Sequence, residues 1–277
     1  MDKTRRNERM AVLTKELISA PNRIFTLSRF CELLGVAKST MSEDVELLKE
    51  TFERFHLGRL ETVVGSAGGV CYRPTMERAS AAAFAKSLSA RLRDESRVLP
   101  GGFFYLADIL SDPQYIKPMG AIIADAFGGQ RPDFVLTMET KGIPVAFVTA
   151  DALGVPLVIA RRSGKAYEGS AVNINYVSGS AGRIETMSLS RRAVREGQRA
   201  LLVDDFLKGG GTARGMVDLM AEFNVAVVGM AFVMETLKPE RKRVQGQRSL
   251  LVMDVADDDA TAPRIEPAPW LMAPEDA

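Results

Sequence analysis

The segment Leu201-Leu202-Val203-Asp204-Asp205-Phe206-Leu207-Lys208-Gly209-Gly210-Gly211-Thr212 constrains the fold of this chain more than any other. An apolar strand runs into two carboxylates, three glycines and a threonine that opens a helix, and ligands of open α/β sheets bind at such strand ends. Glycines without side chains let successive backbone N–H groups converge on a phosphate, and the helix N-terminus adds orphan donors and a favourable dipole. Asp204 and Asp205 are acceptor-only groups suited to two vicinal sugar hydroxyls. The plain alternative is an ordinary strand-to-helix turn, which the acid pair and Thr212 disfavour. No Gly-x-x-x-x-Gly-Lys-Ser/Thr occurs, and the acids precede the glycines, so neither a Walker loop nor a dinucleotide fingerprint is present.

The surrounding chain alternates helices with short apolar strands. Helices are expected at 116–127, 144–153 and 212–223, and strands at 134–138, 155–160, 186–189, 200–203 and 225–233. This rhythm predicts a mainly parallel sheet covered on both faces. A second strand-to-helix loop, Met138-Glu139-Thr140-Lys141-Gly142-Ile143-Pro144, places Thr140, Lys141 and the Gly142 backbone to grip an anion, with Pro144 near the first helical turn. Lys141 alone reads equally as a solvated lysine; loop, glycine and chain order favour the ligand. The polar stretch 161–183 reads as a long structureless insertion, a functional or mobile feature in a compact domain. From it Arg161, Lys165 and Ser178 join the candidate cleft, as does Tyr105, although such residues are as often exposed arginines or core tyrosines.

The first 74 residues follow another grammar. Helical spacing over 7–19 ends at Pro21-Asn22, and a second helix over 27–34, capped by Thr26 or Ser28, stops at Gly35. A third begins with small polar residues, Val36-Ala37-Lys38-Ser39-Thr40-Met41-Ser42, and strand-like arms 60–64 and 70–73 flank a glycine-rich turn. Together these predict a winged helix-turn-helix in which Arg5, Arg6, Lys38, Ser39, Thr40, Ser42 and the hairpin glycines Gly68 and Gly69 meet DNA. A small helical interaction domain is the bland alternative; the glycine turn, the hairpin and the basic leader agree better with DNA.

At 277 residues the chain has room for two cores, and three regions are expected: a winged-helix domain over 1–74, an effector-binding domain over 75–257, and an acidic, disordered tail over 258–277. The formal charge of +1 conceals an uneven distribution. Residues 1–30 carry net +4, which suits a polyanion, and residues 251–277 carry net −6, which suits a solvated tail. The one histidine, His56, falls in an amphipathic helical stretch and reads as a surface or packing residue rather than a catalytic base, and with two cysteines, Cys31 and Cys71, it leaves no material for a zinc cluster. No apolar run reaches the length of a membrane span, and a reducing cytoplasm is the expected compartment.

The acid-acid-glycine-threonine order resembles the phosphoribosyl pyrophosphate (PRPP) motif of type I phosphoribosyltransferases. In those enzymes the loop equivalent to 140–144 holds pyrophosphate, and a flexible hood precedes the PRPP motif. Lys208 and Gly209 depart from the small or hydroxyl residues common there, adding a cation beside the phosphate loop. Joined to a winged helix, the chain resembles the purine operon repressors of Gram-positive bacteria over about residues 5–255. The residues that carry this are Lys38 to Asp44, Ala67 to Val70, Thr140 to Pro144, Asn173 to Ser180 and Asp204 to Lys208. The resemblance implies a homodimeric repressor of purine synthesis and salvage genes that does not catalyse phosphoribosyl transfer. PRPP, with or without Mg²⁺, would be the inducer, and guanosine tetraphosphate would compete for the same pocket as co-repressor. An active phosphoribosyltransferase with a fused nucleic-acid-binding domain is the alternative. The effector set is Tyr105, Thr140, Lys141, Gly142, Arg161, Lys165, Ser178, Asp204, Asp205, Phe206, Lys208, Gly209, Gly210, Gly211 and Thr212, with no obligatory cofactor and no metal ligand.

Overall fold

The computed structural model describes residues 4–65, 68–99, 103–163, 169–178, 183–254 and 263–272. The chain divides into two compact units, residues 1–77 with 151–154 and residues 78–150 with 155–277.

In the first unit, α1 (Arg6–Ile18), α2 (Leu27–Leu34) and α3 (Lys38–Arg54) precede the antiparallel hairpin β1 (Arg59–Val63) and β2 (Gly69–Arg73). Thr26 caps α2 by accepting the Arg29 N–H at 3.4 Å. Gly35, at φ 65°, ends the helix in the left-handed region that glycine tolerates best. Leu13 and Leu17 of α1, Phe30 of α2 and Met41, Val45, Leu48 and Phe52 of α3 form one apolar core with Leu60 and Val70 of the hairpin. Phe25 joins the sheet by exchanging backbone hydrogen bonds with Val70, both 2.9 Å.

The second unit opens with α4 (Arg78–Leu92), a 3₁₀ turn (Glu95–Arg97), the short pair β3 (Val98–Leu99) and β4 (Phe103–Phe104), α5 (Ala107–Leu110) and α6 (Pro113–Gly128). There follow β5 (Phe134–Met138), α7 (Ile143–Leu153), β6 (Leu157–Ala160), the hairpin β7 (Ala171–Val177) and β8 (Ile184–Ser190), β9 (Arg199–Leu207), α8 (Gly211–Glu222), β10 (Ala226–Thr236), β11 (Arg248–Asp254), β12 (Arg264–Pro267) and α9 (Pro269–Met272). The main sheet has the order β12-β11-β10-β9-β5-β6, and only the edge strand β12 runs antiparallel. Leu201, Leu202 and Val203 are fully buried, as expected for a central strand covered on both faces. The chain leaves β5 toward β6 on one side and β9 toward β10 on the other, so the switch point lies between β5 and β9.

Three expectations need correction. The stretch 161–183, expected to be structureless, holds a strand: β7 pairs with β8 over its whole length, from Ala171↔Ser190 to Val177↔Ile184. Polar residues occupy its exposed face, so strand alternation resembles loop composition until the partner is known. The strand β11 was not anticipated, since a short apolar run is ambiguous by periodicity alone. The tail expected from 258 is ordered over 263–272. Ile265 and Leu271 are buried there, Ser89 Oγ donates to the Ile265 carbonyl at 2.7 Å, and Trp270 Nε1 donates to the Ser249 carbonyl at 2.6 Å. Residues 258–262 and 273–277 lie outside the described residues.

Candidate functional site

A cleft of about 370 Å³ opens at the carboxyl ends of β5 and β9 in the second unit. Because β5 and β9 are neighbours, the loops that follow them form its two sides. One side carries Glu139, Thr140 and Lys141; the other runs from Asp204 through Thr212. Gly210, at φ 77°, caps α8 in a left-handed conformation, so the glycine run feeds directly into a helix N-terminus.

Asp204 is buried and accepts the Asp205 N–H at 3.0 Å. Burial, and then the charge of Asp205, push its carboxyl well above the ordinary carboxylate value. Burial also raises Asp205, against the opposing charge of Lys141. A pair of acids held this way gains from any ligand that supplies donors or positive charge.

The hairpin stands on α8, where a β-carbon on Gly215 would come within 3.0 Å of the Tyr176 side chain. It contributes Tyr176, Ser178 and Glu185 to the cleft. Tyr176 donates to Glu185 Oε2 at 2.7 Å, and burial together with that carboxylate pushes its phenol up to about 12. The apolar side of the lining comes from Phe104, Leu106, Met138, Phe206 and Phe232. Arg97 ties down the segment carrying Phe104 and Leu106: it donates to both Asp108 oxygens, at 2.8 and 2.7 Å, and to the Tyr105 carbonyl at 3.1 Å.

Of the residues expected here, Thr140, Lys141, Ser178, Asp204, Asp205, Phe206, Lys208, Gly209, Gly210, Gly211 and Thr212 line the cleft together. Tyr105 does not: it is exposed, and strand-like alternation sends Phe104 and Leu106 inward instead. Arg161 is replaced by its neighbour Arg162, because the Arg161 backbone pairs with Ser188 and its guanidinium lies 3.8 Å from Glu139. Gly142 is packed beneath Asp204 rather than facing the cleft. Lys165 lies outside the described residues. Sequence reasoning missed Phe104, Leu106, Met138, Glu139, Arg162, Tyr176, Glu185, Leu207, Ala213 and Phe232. Local signals existed for some of them: the alternation around Tyr105 for Phe104 and Leu106, the second phosphate loop for Glu139, and the 173–180 segment for Tyr176.

In the first unit, Arg5, Arg6, Lys38, Ser39 and Ser42 are exposed, and Thr40 is half-buried in the first turn of α3. Three of the basic leader's cations have internal partners: Arg9 Nε donates to Asp44 at 2.5 Å, Arg6 Nε to Asp44 at 3.0 Å, and Arg29 Nη2 to Glu16 at 2.9 Å. Asp44 is buried, so this end of the recognition helix is anchored to α1 by charge. Gly69 is corrected as a DNA contact. It is buried, and a β-carbon there would come to 2.1 Å from the Phe25 carbonyl oxygen, so its bareness serves the packing of the hairpin.

Among the described residues no helix is long and apolar enough to cross a membrane, and no group of three or more His, Cys, Asp or Glu residues is arranged to hold a metal ion.

Residues 5–74 match the family described as bacterial purine repressor, N-terminal, and residues 107–258 match the phosphoribosyl transferase domain. The chain is 43% identical over 251 residues to the purine biosynthesis transcriptional repressor PurR of Bacillus subtilis, covering 91% of this chain and 88% of that one. It is 40% identical over 253 residues to the purine biosynthesis transcriptional activator PurR of Lactococcus lactis, covering 91% and 93%. The solved adenine phosphoribosyltransferase of Rhodothermus marinus shares the fold of the second unit, with a TM-score of 0.53 at 22% identity over 61% of this chain and 99% of that one. With a helix-turn-helix unit, a glycine loop at a sheet's switch point and this likeness along nine-tenths of its length, the chain belongs to the bacterial purine repressor family, DNA-binding regulators of purine biosynthesis genes.

Proposed function

We propose that the protein represses purine synthesis and salvage genes as a homodimer in the cytoplasm, and that its cleft senses phosphorylated effectors without transferring phosphoribosyl groups. PRPP is the inducer and guanosine tetraphosphate the competing co-repressor. The observation that carries this reading is the convergence of the 139–141 loop and the 208–212 glycine loop around the Asp204–Asp205 pair. That arrangement offers amides and Lys141 to phosphates and acceptors to a ribose. Both effectors are polyanions built on a ribose, so one cleft serves both. Mg²⁺, where it accompanies PRPP, is held largely by pyrophosphate oxygens, in keeping with its preference for few protein ligands.

Regulation follows from linkage: an effector shifts operator affinity only by as much as it binds the DNA-free and DNA-bound states differently. Fluorescence anisotropy on a purine-gene control region tests this directly. PRPP is expected to weaken the complex and guanosine tetraphosphate to restore it; unchanged affinity at saturating PRPP would end the inducer assignment. The retained acid pair and amide loop also favour a second reading, an active transferase. Incubation with PRPP, Mg²⁺ and each common base separates the two, since base-dependent pyrophosphate release belongs only to the enzyme.

A further inference from the structure

The glycine loop is gripped from behind by a segment that no motif singles out. Lys242 Nζ, half-buried, donates to the Lys208 carbonyl at 3.0 Å, to the Thr236 carbonyl at 2.6 Å and to the Pro239 carbonyl at 3.5 Å. The next residue continues the contact, the Arg243 N–H donating to the Gly209 carbonyl at 3.1 Å. A β-carbon on Gly210 would come to 3.2 Å from that same Arg243 nitrogen. Thr236 ends β10, and its neighbour Glu235 pairs with Leu207 at the end of β9. The ammonium therefore ties the glycine loop to the adjacent central strand.

In a trans peptide the carbonyl and the following N–H point in opposite directions. Holding the Lys208 carbonyl on Lys242 consequently sets the direction of the Gly209 N–H, and holding the Gly209 carbonyl on Arg243 sets that of Gly210. Both glycines line the cleft. We infer that Lys242 and the Arg243 amide form an outer clamp that turns the Gly209 and Gly210 amides toward the cleft, making Lys242 a positioning residue for phosphate binding. The inference rests on the effector reading above and adds to it a residue that never touches the effector. An amide array already aligned costs no reorganisation when the anion arrives, the condition under which such donors bind most strongly.

The test compares the full-length protein with Lys242→Met and Lys242→Arg. Two readouts are used: calorimetric titration with PRPP in magnesium-replete buffer, and ¹H–¹⁵N resonances of Gly209 and Gly210 without ligand. Lys242→Met is expected to bind PRPP about ten- to thirtyfold more weakly, the loss of charge-assisted hydrogen bonds. Lys242→Arg, which keeps charge and donors, is expected to recover part of the loss. Both glycine resonances are expected to move in Lys242→Met. The affinity gap should persist between about 0.05 and about 0.5 M salt, since a fixed geometry is not screened. Wild-type affinity in Lys242→Met, or a gap that vanishes at high salt as for a distant charge, overturns the clamp. Should the wild-type protein itself bind no PRPP, the effector reading falls; the ligand-free resonances still decide the clamp, and unmoved ones overturn it. If Lys242→Met does not fold, Lys242→Gln, which also removes the ammonium, takes its place, and unmoved resonances there overturn the clamp.

Discussion

Asp204 occupies space that any side chain on Gly142 would need: a β-carbon built there comes to 2.0 Å from Asp204 Oδ1 and 2.7 Å from Thr137 Oγ1. The two loops of the cleft are thus fitted to each other through one missing methyl group. Gly142→Ala is expected to displace the Asp204 carboxylate, costing about 1–3 kcal/mol of stability, the range for overpacked interiors. It should also abolish the response to PRPP. Urea denaturation and anisotropy with PRPP check the two effects, and a variant with wild-type response would show that Asp204 tolerates displacement.

Asp204 itself predicts a pH dependence. Its carboxyl titrates higher in the fold than in the unfolded chain, so between the two values the native state binds more protons. Its contribution to stability is therefore greatest below the ordinary carboxylate range and falls as pH rises through that interval. Asp204→Asn keeps an oxygen for the Asp205 N–H and removes the ionisation. It should raise the neutral-pH melting temperature, by about 2–4 °C for each kcal/mol recovered in a chain of this size. The advantage over wild type should shrink toward about pH 4. Thermal melting across that range decides, and a pH-independent difference would exclude ionisation as its cause.

The first unit predicts a separate phenotype. Lys38→Ala should reduce the slope of log affinity against log salt by about 1, as expected for one lost phosphate contact. Thr40→Ala should weaken operator binding by about 1 kcal/mol, the scale of a single hydrogen bond. Neither change is expected to alter PRPP affinity. Anisotropy over a salt series, with calorimetry as the control, tests both; loss of PRPP binding in either variant would contradict the division of labour between the units.

The C-terminal segment predicts a loss of stability. Ending the chain after Asp254 removes β12 and α9 and bares the edge of β11. Burial of Ile265 and Leu271 alone is worth about 3–6 kcal/mol at the usual value per aliphatic side chain. The open edge also offers unpaired backbone groups to other chains. The truncated protein should unfold at lower urea and aggregate on warming, as denaturation and light scattering would show. Wild-type stability would mean that residues 263–272 contribute little.

What the sequence determined by itself was whatever depends on neighbours along the chain. A polar cap at Thr26 or Ser28, the glycine turn at Gly35 and the strand, acid pair and glycine turn of 201–212 are local chemistry, legible without knowing what lies opposite. Tertiary structure decided whatever depends on a partner far along the chain. Arg6 and Arg9, counted with the basic leader, are held by Asp44, more than thirty residues away. Tyr176 and Glu185 enter the cleft because β7 and β8 pair and stand on α8. An Asp-, Pro- and Ala-rich terminus reads as tail until Ile265 finds the edge of β11. Local composition reports a residue's own preference, whereas burial and pairing belong to the contact, and only the folded chain brings both partners together.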